Sequence, residues 1–255
     1  MRLLLTNDDG IDAKGIRALA AELAKKHDVV IVAPDTQRSG NSHKITLRQE
    51  LHVHETRVQG LDCPCYLTDG TPADCVRLGM YWLESAPFDA VITGINQGSN
   101  LGTDVLYSGT VGASTEAAMQ GLPALAVSLV NWHAEHLVTA AQCAARVISS
   151  GILSELPVGI SLNLNVPSVT PEELRGIKWT CHGVNELRMG WDKDGNTITF
   201  HGQPRVGIDV GYIDDFTAVE QGWASLSPLD LDLNARDALA KFSVAYRFDM
   251  PSNDD

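Results

Sequence analysis

Two carboxylates stand side by side near the start of the chain, in Asn7-Asp8-Asp9-Gly10, directly after the apolar run Arg2 to Thr6. Adjacent acids repel. They relax by taking up a proton, by turning apart, or by sharing a cation. A divalent-metal site is one reading of the pair. A solvated turn with an Asx cap is the other, and Asn-Asp-Gly segments often serve that way; these four residues leave both open. A second stretch follows the apolar run Val29 to Ala33 and reads Pro34-Asp35-Thr36-Gln37-Arg38-Ser39-Gly40-Asn41-Ser42-His43. Ser39 offers a hydroxyl ligand, and Gly40 offers a backbone N–H that an anion can approach closely. A plain surface loop is the alternative there.

The third stretch is Tyr107-Ser108-Gly109-Thr110-Val111-Gly112-Ala113, which leads into a helix of small residues, Ser114 to Gln120. Ser-Gly-Thr at a helix N-terminus is a natural anion cradle, because unpaired N–H groups, two hydroxyls and the positive end of the helix dipole converge. A Walker A loop needs G-K-[ST], and no lysine is present. Gly94-Ile95-Asn96-Gln97-Gly98-Ser99-Asn100-Leu101-Gly102 is rich in glycine and amide side chains, yet it is not the G-x-G-x-x-G of a dinucleotide fold. Leu67-Thr68-Asp69-Gly70-Thr71 has the outline of a haloacid-dehalogenase phosphatase motif, but Leu67 stands where the nucleophile would be. His133 and His136 are three residues apart; a metal role would need further ligands, and a solvated helix start explains them better. Five scattered cysteines without a C-x-x-C pair, Cys63-Pro64-Cys65 included, read as reduced thiols and not as a zinc site.

These residues need elements to position them. Arg2 to Thr6 and Val29 to Ala33 read as buried parallel strands. Between them Ile16, Leu19, Ala20 and Leu23 give one apolar face to a helix over Lys14 to Lys26, with Asp12 as its cap. The acid pair therefore lies at the carboxyl end of the first strand, the edge where open α/β sheets bind ligands. Ile45 to Leu47, Leu51 to Glu55 and Tyr66 to Thr68 read as short strands. Thr71-Pro72-Ala73-Asp74 starts a helix that runs to about Leu83. Ala90 to Thr93, Ala124 to Val130 and Gly159 to Val166 read as further core strands, with a helix over Ala134 to Ser149. After Pro167 the character changes, and Trp179, Trp191 and Trp223 all lie in that part. Residues 1–167 are expected to form the α/β core and 168–255 a C-terminal extension. Met189 to Phe200, with Lys193-Asp194-Gly195-Asn196 at its turn, is expected to be a projecting hairpin. Apolar arms of this kind are often oligomer contacts. Asp214 or Asp215 is expected to cap a short helix through Gln221, Ala224 to Leu229 to be a strand, and Pro251 to Asp255 a disordered tail.

The 255 residues carry a net charge of −13, which argues against a surface that coats nucleic acid. It leaves room for a small phosphorylated substrate at a metal-bearing site. The apolar part of the first residues is too short for a signal peptide, and no run approaches the ~20 residues of a membrane span. A cytoplasmic protein without membrane contact is the expectation.

Taken together, LLLTNDDGIDAKGI from Leu3, APDTQRSGNSH from Ala33, DGTPADCV from Asp69, TGINQGSNLG from Thr93, YSGTVGAS from Tyr107, LNLNVP from Leu162 and AVEQGWASLSPLDLDL from Ala218 make a pattern. In these motifs and their order the chain resembles the SurE family, stationary-phase survival proteins that are metal-dependent 5'-nucleotidases. The resemblance spans nearly the whole chain. It implies a Rossmann-like three-layer αβα sandwich with a mostly parallel sheet and a C-terminal β-hairpin arm used in oligomerisation, as a homodimer or homotetramer. It implies one divalent ion per subunit, held by Asp8, Asp9, Ser39 and Asn96, with Asp8 and Asp9 also catalytic. It implies phosphate or substrate contacts at Gly40, Asn41, Asn96, Ser108, Gly109 and Thr110. Oxygen-only ligands favour Mg²⁺ or Mn²⁺ over zinc. The implied reaction is hydrolysis of nucleoside 5'-monophosphates, with 3'-monophosphates and short polyphosphate as further candidate substrates. A non-catalytic phospholigand-binding regulator on the same fold is the alternative, and an assembly protein acting through its arm is a third. Two departures from the family pattern stand out: Thr103 precedes Asp104 where an acidic pair is usual, and Asp214-Asp215 replaces Thr-Asp. They bear on substrate preference and local capping.

Overall fold

The computed structural model describes residues 1–83, 86–184, 190–201 and 211–245. Strands β1 (Arg2–Thr6), β2 (Asp28–Pro34), β3 (Val53–Thr56), β4 (Cys65–Thr68), β5 (Ala90–Gln97), β6 (Ala124–Val130), β7 (Ile160–Pro167) and β8 (Ile177–Trp179) join one nine-stranded sheet with a late strand, Ala224–Asp230. Between β8 and that late strand a separate pair forms, β9 (Gly190–Asp194) and β10 (Thr197–His201), so the late strand is β11. The sheet order is β3-β4-β2-β1-β5-β6-β7-β11-β8. Only β3 on β4 and β11 on β7 run antiparallel.

Alternation along β1 sorts the layers, as the two-residue period of a strand requires. Leu3 and Leu5 pack with Ile16, Leu19 and Leu23 of α1 (Lys14–Leu23) and with Ala140, Ala144 and Val147 of a later helix, Leu137–Ser149. Leu4 points the other way, to Cys75 and Val76 of α2 (Pro72–Tyr81) and to Ala113 and Ala117 of α3 (Gly109–Met119). With Leu137–Ser149 as α4, helices cover both faces, and the result is the expected three-layer α/β sandwich. α5 (Asp215–Glu220) and α6 (Arg236–Ala245) complete the described α-helices, and short 3-10 helices form at Gly102–Leu106 and Ile152–Glu155; α6 and β8 had no signature in the sequence reading.

Several boundaries differ from expectation, each for a local reason. Asp12 does not cap α1. Ala13 is the N-cap without a side-chain bond, and the Ala13 N–H is instead held by the Gly10 carbonyl at 3.1 Å. α1 ends at Leu23, short of Lys26. Ile45 to Leu47 is not a strand. The Asp74 carboxylate takes the Thr46 N–H at 3.0 Å and its hydroxyl at 2.7 Å, so helix α2 holds this segment in place of a ladder. α4 starts at Leu137, not Ala134, because Ala134 and His136 adopt left-handed backbone at φ 54° and 60°. The start of α2 is as expected: Thr71 and Asp74 form a reciprocal capping box with Pro72 in the first turn. Asp214 caps α5, its carboxylate accepting the Thr217 N–H at 2.9 Å.

β9 and β10 pair antiparallel around Gly195, outside the main sheet, as the hairpin expectation required. Met189 and the tail Pro251 to Asp255 lie outside the described residues. Cys63, Cys65, Cys75, Cys143 and Cys181 are all free thiols. Among the described residues no helix is long and apolar enough to cross a membrane.

Candidate active site

β1 lies between β2 on one side and β5 on the other, so the chain winds away from β1 in both directions. At such a switch point the loops after neighbouring parallel strands diverge and leave a crevice at their carboxyl ends. Asp8 and Asp9 follow β1, Ser39 and Gly40 lie in the loop after β2, and Asn96 sits near the end of β5. A cavity of about 270 Å³ opens there, lined by Asp8, Ser39, Gly40, Asn96 and Ser108 among others. Five residues singled out in the sequence thus meet on one surface. Asp9, Asn41, Gly109 and Thr110 lie outside that lining, Asn41 in the loop that Ser42 fixes through hydrogen bonds to the carbonyls of Leu106 and Tyr107.

Local bonding explains how the loops are held. Asn7 donates its side-chain amide to the Gly10 carbonyl at 2.9 Å, and the Arg38 N–H donates to the Asp8 carbonyl at 2.7 Å. The turn expected of Asn-Asp-Gly is therefore present, made by Asn7, while Asp8 faces the cavity. Asp9 accepts the Gln97 N–H at 3.3 Å, which draws the acid pair toward β5. Asn96 donates its amide nitrogen to the Gly98 carbonyl at 2.9 Å. That bond turns the amide oxygen into the atom able to meet a cation.

The start of α3 is built around Asp8. Thr110 donates its hydroxyl to the Asp8 carboxylate, and Asp8 is buried. Burial raises the Asp8 carboxyl above the usual carboxylate range; the Thr110 hydroxyl and the Thr110 and Gly109 backbone N–H groups act against that rise. The Thr110 hydroxyl thus orients the acid. Ser108 is the N-cap: its hydroxyl oxygen accepts the Val111 N–H at 3.1 Å, and its proton is left to donate toward the cavity. Gly109 packs so closely that a Cβ there would lie 2.9 Å from the Asp8 Cβ.

Asp9 is pushed up to about 6, first by burial and then by the charge of Asp8. No Lys or Arg lines the cavity among the described residues. The nearby Arg38 guanidinium is turned to Asp35 at 2.9 Å and to the Asp69 carbonyl at 3.1 Å. Burial and mutual repulsion disfavour the charged forms of these two neighbouring acids, and a proton or a cation would relieve both. Asp8, Ser39 and Asn96 bring a carboxylate, a hydroxyl and an amide to the lining with Asp9 adjacent in the chain, and such hard oxygen donors would suit Mg²⁺ or Mn²⁺. Among the described residues no cluster of three or more His, Cys, Asp or Glu is placed to hold a metal ion, and His133 and His136 do not line the cavity.

Gln97, Ser99, Asn100, Asp104, Tyr107 and Trp132 also line it. Asn100 is tied down from behind: it receives Asn163 and Asn165 amides on its carbonyl and donates to Asn165 and Ser128, all at 2.8–3.0 Å. The glycine-rich stretch pointed at Gln97 to Asn100. Nothing in the sequence pointed at Trp132, which comes from a different strand end.

The family model described as "Survival protein SurE" matches residues 3–189. A protein of Aeromonas hydrophila called "5'-nucleotidase SurE" is 41% identical over 245 residues, 94% of this chain and 96% of its own length. A "5'/3'-nucleotidase SurE" of Cronobacter sakazakii is 45% identical over 242 residues, 93% of each chain. The crystal structure of the SurE protein from Aquifex aeolicus superposes with a TM-score of 0.79 at 33% identity, covering 96% of this chain and 99% of that one. With motifs, sheet order and full-length similarity in agreement, this chain belongs to the SurE family.

Proposed function

We propose that the protein is a divalent-metal-dependent nucleotidase that hydrolyses nucleoside 5'-monophosphates to nucleoside and phosphate. The observation that carries the reading is the buried Asp8 on the wall of a cavity with no basic side chain among the described residues, and Asp9 directly beside it in the chain. A phosphate dianion entering there meets like charge, so a cation must accompany it. The names of the relatives supply the substrate class; 3'-monophosphates, which one relative's name includes, and short polyphosphate are further candidates.

Asp8, Asp9, Ser39 and Asn96 would hold the ion. When bound, it supplies charge neutralisation at the phosphoryl group and activation of water. The chain's own groups position the rest. The Ser108 hydroxyl proton and the Gly40 N–H are donors for the phosphoryl oxygens, where charge builds during transfer. Thr110 and the start of α3 orient Asp8 and favour its ionised form against the effect of burial. Asn41 in the adjoining loop is a further candidate substrate contact.

The test is a panel of nucleoside 5'- and 3'-monophosphates and polyphosphate, with Mg²⁺ or Mn²⁺ and then with excess chelator. Metal-restored release of phosphate from 5'-monophosphates is the expected result. Metal-dependent binding without turnover would favour a phospholigand-binding regulator instead.

A further inference from the structure

The cavity has two chemically different ends. Its floor is polar, with Asp8, Asn96, Ser39 and Ser108, but its lining also includes the indole of Trp132, which is 78% exposed. Tryptophan is seldom so open to water. Trp132 is not a loose side chain. Its six-membered ring rests on Gly98, where a Cβ would come within 2.9 Å of it. Gly98 is the residue whose carbonyl holds the Asn96 amide, so the indole sits one contact away from a proposed metal ligand. The backbone beneath is fixed on both sides. Asn131 bonds the His133 N–H at 2.8 Å and the Ser168 hydroxyl at 3.1 Å, and Ala134 and His136 hold left-handed conformations. An exposed, positioned aromatic ring beside a polar floor that, with the proposed cation, would take a phosphate matches a ligand that is charged at one end and flat and apolar at the other.

We propose that Trp132 is the residue on which the nucleobase stacks, making it the specificity-determining contact that separates nucleotides from sugar phosphates without a base. This rests on the nucleotidase reading of the same cavity. Stacking on an aromatic side chain is tolerant of base identity and requires only a π face. The preference therefore falls on the presence of the base, with little discrimination among bases of similar size.

The experiment compares AMP with ribose 5-phosphate, which keeps the sugar and phosphate and lacks the base, for the wild type, Trp132→Ala and Trp132→Phe with Mg²⁺. Trp132→Ala should lower kcat/KM for AMP by about 5- to 150-fold, mainly through KM, and leave ribose 5-phosphate nearly unchanged. Trp132→Phe should recover most of the loss. An AMP to ribose 5-phosphate ratio that survives Trp132→Ala, or equal losses on both substrates, overturns the proposal; equal losses would mean that the ring only supports its loop. Absence of hydrolysis of either compound by the wild type would instead count against the nucleotidase reading. Calorimetric affinity for the same two ligands then decides the stacking contact without turnover: Trp132→Ala weakening AMP alone supports it, and unchanged AMP affinity overturns it.

Discussion

Asp8 is the residue on which the site turns, because it is buried, oriented by Thr110 and faced by the start of α3. Asp8→Asn and Asp9→Asn should each cut turnover by orders of magnitude with the thermal transition retained. Kinetics beside a metal titration check this, and full activity of the double variant without metal would remove both acids from the site. Ser108→Ala removes one candidate hydrogen bond to a charged group, which costs roughly 1.5–3 kcal/mol; kcat/KM should fall about tenfold to a hundredfold. Gly109→Val should be worse, and for a reason the sequence did not contain. Its side chain collides with Asp8, whose Oδ2 would lie 3.0 Å from the new Cβ. Metal affinity should therefore fall together with kcat/KM, whereas Ser108→Ala should leave metal affinity nearly intact. If Gly109→Val binds metal normally, α3 does not set the position of Asp8.

Helix α2 shows local sequence and tertiary structure in agreement. Its capping box is readable from Thr71-Pro72-Ala73-Asp74, but the two caps also hold the segment before β3: Thr71 donates to the Lys44 carbonyl at 2.6 Å, and Asp74 takes Thr46. Thr71→Ala should cost about 1–2 kcal/mol, the upper part of the range for an N-cap, read as a lower urea midpoint with an unchanged slope. α1 shows the opposite case. Its apolar face was legible, but its entry was not, since Ala13 and not Asp12 is the N-cap, with the Ala13 N–H held by the Gly10 carbonyl.

At the scale of the molecule, the C-terminal extension is built into the core. β11 runs antiparallel to β7, and the buried Asp215 at the start of α5 reaches the loop that leads into the cavity. Its carboxylate accepts the Gly102 N–H at 2.7 Å and the Gly183 N–H at 2.9 Å, and lies 3.1 Å from His182 Nδ1. Removing a buried charged partner from such a set costs about 3–5 kcal/mol. Asp215→Ala should lower stability by that amount and depress activity through the 102–107 loop, as measured by denaturation and kinetics on the same preparation. The β9–β10 hairpin stands apart from the sheet, with Trp191 59% and Ile198 52% exposed. If it serves as an intersubunit arm, deleting residues 189–200 should reduce the mass in solution by light scattering; an unchanged mass would assign assembly to another face.

The sequence by itself determined what is local. Continuous apolar runs marked the parallel core strands, because strands buried on both faces carry no polar alternation. Turn and cap residues marked α2, α5 and the hairpin, because those residues bond to their own neighbours. The same logic brought Asp8, Asp9, Ser39 and Ser108 forward, from loops that follow core strands or open a helix, and the family resemblance added Asn96. Tertiary structure decided how these ends meet. Placing β1 between β2 and β5 brings four separated loops to one cavity, which depends on strand order and not on any window of residues. It also turned the Thr110 hydroxyl onto Asp8, set Thr46 on Asp74 in place of a strand partner, and brought Trp132 from the end of β6 over Gly98. Each of these is a contact between residues more than 25 positions apart, where short-range periodicity carries no information.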